Sequence, residues 1–211
     1  MEGVDRKYKN GGFVESLRYH TIQEWENYRD IPDWKREILV TCAPYTATHQ
    51  EAMLKLIANV HHVIKNDIPG DFVETGVFMG GSCMIIAEVL KKLKVNDRAI
   101  WMYDTYEGVP KPNDIETDPE GKLLKTWWEE QKQLDGQTST WCNASLTTVK
   151  TNLEKLNYLG DVHFVKGLVE DTIPKQGPDA IALLRIDVDL EYPTRHVLNH
   201  FYPKLSMGGH V

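Results

Sequence analysis

The sequence of 211 residues lacks the features of a membrane, secreted or nucleic-acid-binding protein. No run of about eighteen apolar residues is present, and the N-terminal stretch MEGVDRKYKNGG is polar where a signal peptide needs an apolar core. The basic residues form no cluster, and the net charge of −7 gives no general attraction to nucleic acid or anionic lipid. These absences predict a soluble, cytoplasmic protein with no nucleic-acid or membrane partner.

Cysteine is also scarce and shows no pairing pattern. Cys42, Cys83 and Cys142 form no CxxC motif, and an odd number of cysteines cannot close an intramolecular disulfide framework. A reducing compartment therefore suits the chain. Its length allows one domain with a full hydrophobic core and is short for two.

Short apolar runs alternate with segments of helical period. Four runs have the composition of strands, at residues 71–77, 99–104, 161–167 and 180–189. The segment SCMIIAEVLKKL between the first two runs has a helical period. Strands separated by helical crossovers predict an α/β fold with a doubly wound, mostly parallel sheet.

Two further segments before the first strand are predicted to be helical. Residues 14–40 suggest short helices broken at Pro32, and residues 48–65 carry apolar side chains at the spacing of an amphipathic helix. We therefore expect residues 1–45 to form a helical cap and residues 46–211 to form the main domain.

The stretch from Glu107 to about Lys150 interrupts the alternation of strands and helices. Its second part predicts a crossover helix with Ser145 as the N-cap. The first part is a long insertion at the carboxyl edge of the sheet, where open α/β folds bind ligands, so it is a candidate lid or substrate-recognition wall. Its tryptophans suit stacking on a sugar, or they only cover a helix face: Trp127, Trp128 and Trp141.

The first strand leads into a glycine turn in the stretch GDFVETGVFMGGS, residues 70–82. Such a turn at a helix N-terminus leaves backbone N–H groups unpaired and lets a ligand approach the main chain. The order Gly76, Gly80, Gly81 lacks the second glycine of a GxGxxG dinucleotide fingerprint, which disfavours a nicotinamide oxidoreductase. Glu74 precedes the turn, where a carboxylate repels phosphate and attracts a cationic amino group such as that of S-adenosylmethionine.

Carboxylates also follow the second and fourth strands. Asp104 ends the second strand and is either a bidentate acceptor for ribose hydroxyls or a turn former before Thr105. Asp187 and Asp189 are two residues apart in the fourth predicted strand, so both should project from one face. Adjacent carboxylates repel unless a cation or a shared proton offsets their charge, and Mg²⁺ is the usual partner of such oxygen ligands. Alternatively, one aspartate caps a loop and the other is solvated.

Several motifs in the same order resemble the TylF/MycF/NovP family of S-adenosylmethionine-dependent O-methyltransferases, which act on sugar hydroxyls. They are GDFVETGVFMGGS, YDTYEGVP, VKGLVEDTIP, LLRIDVDLEYPT and YPKLSMGGHV, and the resemblance covers about residues 45–211. It implies a Rossmann-like class I methyltransferase fold and a small-molecule or glycan sugar acceptor.

The resemblance also implies roles for individual residues. Contacts to the methionyl end of S-adenosylmethionine and the turn fall to Glu74, Thr75, Gly76, Gly80, Gly81 and Ser82. Asp104 and Thr105 would bind the ribose, while Gly167 and Asp171 would lie near the adenine. The segment 45–48, with Thr46, would lie over the methionyl end, although a helix N-cap at Thr46 or Thr48 explains the same residues.

By the same resemblance, Asp187 is a ligand of Mg²⁺ or a similar ion that also lies at the cofactor site, and Asp189 is the general base. His196, His200 and His210 are alternative bases. The family pattern continues beyond this chain with a strand whose two aspartates complete the metal site. We therefore expect the C-terminal strands to be missing after Val211 and one sheet edge to be uncovered.

The sequence thus predicts a metal-assisted sugar O-methyltransferase, with a homo-oligomer as a plausible assembly. Two alternatives stay open at this point. One is an O-methyltransferase for catechol-like small molecules, which would use the same metal geometry. The other is a noncatalytic module that keeps the cofactor fold within a larger protein.

Overall fold

The computed structural model describes residues 31–131 and 139–211. The helices are α1 (Asp33–Cys42), α2 (Gln50–Lys65), α3 (Gly81–Lys92), α4 (Leu124–Gln131), α5 (Leu146–Glu154), α6 (Val169–Thr172) and α7 (Glu191–Phe201). Short 3₁₀ turns follow α1 at Ala43–Tyr45 and α7 at Tyr202–Lys204. The strands are β1 (Asp71–Thr75), β2 (Ile100–Asp104), β3 (Val162–Lys166), β4 (Ile181–Ile186) and β5 (Leu205–His210).

The five strands form one parallel sheet in the order β3-β2-β1-β4-β5. The chain therefore moves outward from β1 in one direction through β3 and then returns to the other side of β1 for β4. The carboxyl ends of β1 and β4 meet at this reversal, which is the position where open α/β sheets bind ligands. The predicted α/β fold with a parallel sheet is confirmed.

Helices cover both faces of the sheet. Successive side chains of a strand point to opposite faces, so the sheet contributes to two apolar cores. Phe72 of β1 belongs to the larger core, which includes residues of α1, α2, α3 and α5. Val73 belongs to the smaller core, which includes residues of α6 and α7 such as Val169 and Phe201. The helix α3 is buried on nearly all sides, which explains its almost continuous apolar sequence.

The fourth predicted strand extends too far, and one strand was not predicted. β4 ends at Ile186, so Asp187 and Asp189 lie in the loop after the strand and not on one strand face. The backbone of Asp189 is left-handed, with φ of 61°, which no strand residue adopts. β5 was not among the predicted strands, because its sequence LSMGGH contains two glycines and no β-branched residue.

The N-terminal cap is described only in part. Residues 1–30 lie outside the described residues, while α1 begins directly after Pro32. The division into a cap over 1–45 and a main domain therefore stays a prediction. The predicted N-cap of the crossover helix is present, since the Ser145 hydroxyl accepts a hydrogen bond from the Thr148 N–H at 3.2 Å. Among the described helices, none has the length and apolar character needed to cross a membrane.

Candidate functional site

A cavity of about 410 Å³ opens at the carboxyl ends of β1, β2 and β4. Its volume lies within the range of small-molecule sites. The structure brings together eight of the residues that the sequence predicted for the site: Thr46, Glu74, Gly76, Ser82, Asp104, Thr105, Asp187 and Asp189. Their convergence identifies this cavity as the candidate functional site.

Three predicted residues support the glycine turn without lining the cavity. Thr75 is fully buried, and its carbonyl accepts a hydrogen bond from the Asp187 N–H at 2.8 Å. Gly80 is the left-handed N-cap of α3, with φ of 91°. A Cβ atom on Gly81 would come within 2.6 Å of the Tyr45 carbonyl. These residues therefore shape the turn and hold it against the segment before α2.

The position of Gly76 explains why the turn needs a glycine. Its φ is 81°, and a Cβ atom there would lie 1.9 Å from the carbonyl oxygen of Asp187. A side chain would push apart the ends of β1 and β4. Gly76 thus allows the loop that carries Asp187 to cross directly over the end of β1.

The two residues predicted near adenine lie beside the cavity and do not line it. Gly167 follows β3 and donates its N–H to the Asp104 carbonyl at 3.0 Å, while Asp171 is exposed on α6. The cavity wall at this end consists instead of Leu168, Val169 and Glu170.

Glu74 is paired with a cation of the protein itself. The residue is 1% exposed, and its Oε1 accepts a hydrogen bond from the Arg185 guanidinium at 2.5 Å. Its Oε2 accepts from the Cys83 thiol at 2.7 Å. Burial raises the pKa of Glu74, and the charge of Arg185 opposes this rise. The predicted contact between Glu74 and a cofactor amino group stays a prediction.

Arg185 is a site residue that the sequence reasoning missed. It lines the cavity, forms an ion pair with Asp187 at 2.8 Å and donates to the Thr48 hydroxyl at 2.8 Å. A signal was present in the sequence, because an arginine inside the apolar run AIALLRI is seldom buried without a partner.

The segment before α2 does not contain the N-cap considered for it. The N-cap of α2 is His49, whose side chain makes no capping bond. The Thr46 hydroxyl accepts from the Thr48 N–H at 3.0 Å, which closes a local turn. Both threonines line the cavity.

Asp104 forms the turn that one of its two interpretations required. One carboxylate oxygen accepts from the N–H groups of Val77 at 2.6 Å and Phe78 at 3.2 Å, and the other accepts from the Tyr106 N–H at 2.6 Å. Burial raises the pKa of Asp104, and these backbone hydrogen bonds oppose the rise. A carboxylate can accept about four hydrogen bonds, so these backbone contacts do not test whether Asp104 also accepts from ribose hydroxyls. The interpretation as a ribose ligand therefore stays a prediction.

Asp189 differs from the other carboxylates at the cavity. It makes no hydrogen bond or ion pair within the described residues, and it is exposed at the cavity mouth. Desolvation by the surrounding protein and then the charge of Asp187 raise the pKa of Asp189 to about 6. A carboxylate with this pKa is ionised at neutral pH and is well matched to accept a proton.

The predicted metal site has suitable but few donors. Asp187 offers hard carboxylate oxygens with a half-exposed side chain, and Asp189 follows it by two residues. Within residues 31–131 and 139–211, no group of three or more His, Cys, Asp or Glu side chains is arranged to hold a metal ion. The donor chemistry therefore fits Mg²⁺, with further ligands needed from water or substrate.

The insertion contributes one wall of the cavity, formed by Gly108, Val109, Pro110 and Cys142. The Val109 carbonyl accepts from the indole N–H of Trp128 and from the Ser139 hydroxyl, both at 2.9 Å. Trp128 is buried by this contact, and none of the three insertion tryptophans lines the cavity. Trp128 therefore stabilises the insertion, as its structural interpretation required.

Glu116 connects the insertion to α7 and was not predicted. One of its carboxylate oxygens accepts from the Glu191 N–H, the first residue of α7, at 2.7 Å. The other oxygen accepts from the Asn113 N–H at 2.8 Å. No simple signal marks this residue, because a lone glutamate in a polar loop is usually solvated.

The histidines considered as alternative bases lie away from the cavity. The His196 ring contacts the Ile173 carbonyl at 3.0 Å, and the His200 ring contacts the His196 carbonyl at 2.8 Å. His210 lies in β5 beside His62. None of the three lines the cavity, whereas His49 does.

The whole described chain is similar to known methyltransferases. The sequence pattern of the macrocin-O-methyltransferase (TylF) family matches residues 15–211. Mycinamicin III 3''-O-methyltransferase of Micromonospora griseorubida is 33% identical over 78% of this chain and 63% of its own length. Demethyldecarbamoylnovobiocin O-methyltransferase of Streptomyces niveus is 34% identical over 72% of this chain and 55% of its own length. The chain thus spans about three fifths of these relatives.

Two solved structures share the fold. The O-methyltransferase NovP superposes with a TM-score of 0.67 at 30% identity, covering 78% of this chain and 64% of that chain. A calicheamicin methyltransferase superposes with a TM-score of 0.60 at 21% identity, covering 99% and 81% of the two chains. The second likeness concerns the fold alone.

Proposed function

The chain belongs to the TylF macrocin-O-methyltransferase family, as its motifs predicted, and from this premise we propose that it transfers a methyl group from S-adenosylmethionine to a hydroxyl of a sugar or glycoside. The observation that carries the proposal is the cavity at the strand reversal. In one pocket it combines the paired carboxylate Glu74, the turn-forming Asp104 and Asp189, which has no partner within the described part of the chain.

The cofactor would lie along the carboxyl ends of β1 and β2. Its methionyl end would be near Thr46, Glu74 and Ser82, and its ribose near Asp104 and Thr105. Support comes from the N-terminus of α3, where Gly80 provides no side-chain cap and Ser82 lines the cavity. The N–H groups that a helix start leaves unpaired can donate to polar atoms of the cofactor. Gly167 and Asp171 would lie next to the residues that form the cavity wall around the adenine, without lining the cavity themselves.

The acceptor would approach from the side of the insertion and of Asp189. Bound S-adenosylmethionine would supply a sulfonium methyl group for transfer to the acceptor oxygen, with S-adenosylhomocysteine as the leaving group. Asp189 receives the hydroxyl proton, because its carboxylate accepts no hydrogen bond from residues 31–131 and 139–211 and is ionised at neutral pH.

We extend the proposal to a divalent metal, Mg²⁺ or a similar ion, with Asp187 as a ligand. A bound metal would lower the pKa of the acceptor hydroxyl. The support is the half-exposed carboxylate of Asp187 next to the proposed base. We also propose a cytoplasmic location and a homo-oligomer, and the support for both is limited to the sequence.

The acceptor class is inferred from the relatives and from the insertion wall. The two relatives are named for mycinamicin III and for demethyldecarbamoylnovobiocin. In this chain the wall near Asp189 is formed by Val109, Pro110 and Cys142, which are weakly polar. A neutral sugar face would suit this surface better than a charged group would.

Calorimetric titration of S-adenosylhomocysteine, repeated with NAD, tests the cofactor. We expect saturable binding of the first ligand only.

Methyl transfer from S-adenosylmethionine is then assayed with mycinamicin III, demethyldecarbamoylnovobiocin and catechol, each with Mg²⁺ and with chelator. Transfer to catechol alone would show that the acceptor is a catechol-like small molecule and not a sugar. Binding of S-adenosylhomocysteine without any methyl transfer would favour the noncatalytic module. No binding by a sample with a cooperative thermal melt would contradict the proposal.

A further inference from the structure

Among the described residues that line the cavity, Arg185 is the single lysine or arginine. The same lining holds five carboxylates, of Glu74, Asp104, Glu170, Asp187 and Asp189. The cavity therefore offers many partners to a positive group and one strong partner to a negative group. A ligand with both charges would be oriented by this asymmetry.

The guanidinium of Arg185 is only partly used by the protein. It donates to Glu74, Asp187 and Thr48, which accounts for three of its five N–H groups. The described residues provide no further acceptor for it. The side chain is 20% exposed and faces the cavity, so the remaining N–H groups are available to a ligand there.

The position of Arg185 is held firmly. Its Cα pairs in register with that of Glu74 across β4 and β1. The planar guanidinium is contacted by Glu74 of β1, by Asp187 of the loop after β4 and by Thr48 of the segment before α2. These three contacts fix its position. A preorganised fork of this kind suits a carboxylate, because it can form two parallel hydrogen bonds.

We propose that Arg185 binds the α-carboxylate of the methionyl end of the cofactor. This inference rests on the proposed function. The amino acid end of S-adenosylmethionine carries an ammonium and a carboxylate on one carbon, and Glu74 and Arg185 are neighbours on adjacent strands. The two side chains would then bind the two charges side by side, and each would also remain the other's partner.

A purely structural role for Arg185 is the main competing explanation. In that case the guanidinium only neutralises the buried Glu74 and the nearby Asp187. Its loss would weaken every ligand of the cavity to the same degree. A test must therefore compare two ligands that differ only in the carboxylate.

The probes are S-adenosylhomocysteine and its decarboxylated analogue S-adenosyl-3-thiopropylamine, titrated by calorimetry into the wild-type chain. The analogue keeps the adenosine, the thioether and the ammonium. We expect it to bind about 10- to 100-fold more weakly, as is typical for the loss of charge-assisted hydrogen bonds. A ratio near one in the wild type would overturn the proposal, whatever the variants show.

The variants are Arg185→Met and Arg185→Lys, with Arg98→Met as the matched control. Arg98 is also partly buried and donates to a backbone carbonyl, that of Gly70, at the amino end of the sheet. In Arg185→Met the two probes should bind within about threefold of each other, while Arg98→Met keeps the wild-type ratio. The loss of Arg185 also changes the surroundings of Glu74. Because both probes carry the ammonium, this change alters both affinities equally and leaves the ratio of the two affinities unchanged.

Arg185→Lys keeps a charge without the fork, so we expect an intermediate ratio. It also provides the answer if Arg185→Met fails to give a cooperative melt. A full wild-type ratio in Arg185→Met would mean that another group, such as the N-terminus of α3, holds the carboxylate, and would overturn the proposal. A full wild-type ratio in Arg185→Lys would overturn the role given to the planar fork. Failure of the wild type to bind S-adenosylhomocysteine would contradict the proposed function instead.

Discussion

The two sides of the cavity treat their carboxylates differently. On the side of β1 and β2, Glu74 and Asp104 accept hydrogen bonds from a guanidinium, a thiol and backbone N–H groups. On the side of the insertion, Asp189 has no hydrogen-bond donor among the described residues. The fold therefore fixes the carboxylates of Glu74 and Asp104, whereas the carboxylate oxygens of Asp189 can accept a hydrogen bond or a proton from a ligand.

This difference separates binding from reaction. A carboxylate whose oxygens are satisfied by the protein holds its shape and its charge, which suits ligand recognition. A carboxylate that is partly desolvated and unpartnered is easier to protonate, which suits a general base. We therefore assign cofactor binding to the first side and proton transfer to the second.

The largest expected effect follows from removing the free carboxylate. Asp189→Asn should lower the rate of methyl transfer by about 10²- to 10⁴-fold, the usual contribution of a general base. Its affinity for S-adenosylhomocysteine should stay within about threefold of the wild type. Steady-state kinetics and calorimetry on the same samples measure both quantities.

Asp179→Asn is the matched control, because Asp179 is exposed and lies before β4, at the opposite end of that strand. It should leave both quantities unchanged. If Asp189→Asn turned over at the wild-type rate, the division between the two sides of the cavity would fail.

A smaller effect, on stability, is expected on the other side of the cavity. Glu74→Gln removes the buried charge that pairs with the partly buried guanidinium of Arg185, and breaking such a pair costs about 3 kcal/mol of unfolding free energy. Urea unfolding at pH 7 measures this change. Glu88→Gln on the surface of α3 breaks an ion pair with Lys91 and should cost less than about 1 kcal/mol. Equal costs would mean that Glu74 is not the buried, paired group described above.

Much of this site was predictable from the sequence because strand ends and glycine turns obey local rules. Gly76 and Asp187 follow a strand and Asp104 ends one, and parallel strands bring their carboxyl ends to one edge. The partners were not predictable, since Arg185 meets Glu74 only through the register of β1 and β4. β5 was missed because its glycines suit the close approach to Ala182 and Ile68, which is a tertiary requirement.

The insertion provides the next prediction. Glu116→Gln keeps one acceptor oxygen and replaces the other by a donor, so one of the hydrogen bonds to Glu191 or Asn113 is lost. We expect the acceptor KM to rise about three- to tenfold, consistent with a loss of about 1 kcal/mol. The affinity for S-adenosylhomocysteine should not change.

Glu120→Gln is the control for this variant, because Glu120 is an exposed glutamate of the same insertion. It should behave as the wild type. A change in cofactor affinity in Glu116→Gln, with an unchanged acceptor KM, would show that the insertion serves the cofactor side instead.

The smallest expected effect is a gain in stability in Asp189→Asn. The pKa of Asp189 is raised to about 6 in the folded chain, so its ionisation disfavours the folded state as pH rises from about 4 to 6. Asp189→Asn removes this penalty and should be slightly more stable than the wild type at pH 7 and equal to it near pH 4. Urea midpoints at the two pH values measure the difference. A variant that is less stable at pH 7 would show that the carboxylate has a partner in the folded chain.

The pH dependence of methyl transfer tests the central claim most directly. We predict that kcat/KM for the acceptor, which reports the base before the acceptor binds, rises with pH through an apparent pKa near 6 as Asp189 loses its proton. The residual kcat/KM of Asp189→Asn should show no such rise between pH 5 and 7. An identical rise near pH 6 in the variant would contradict the claim, because the titrating base would then be another group.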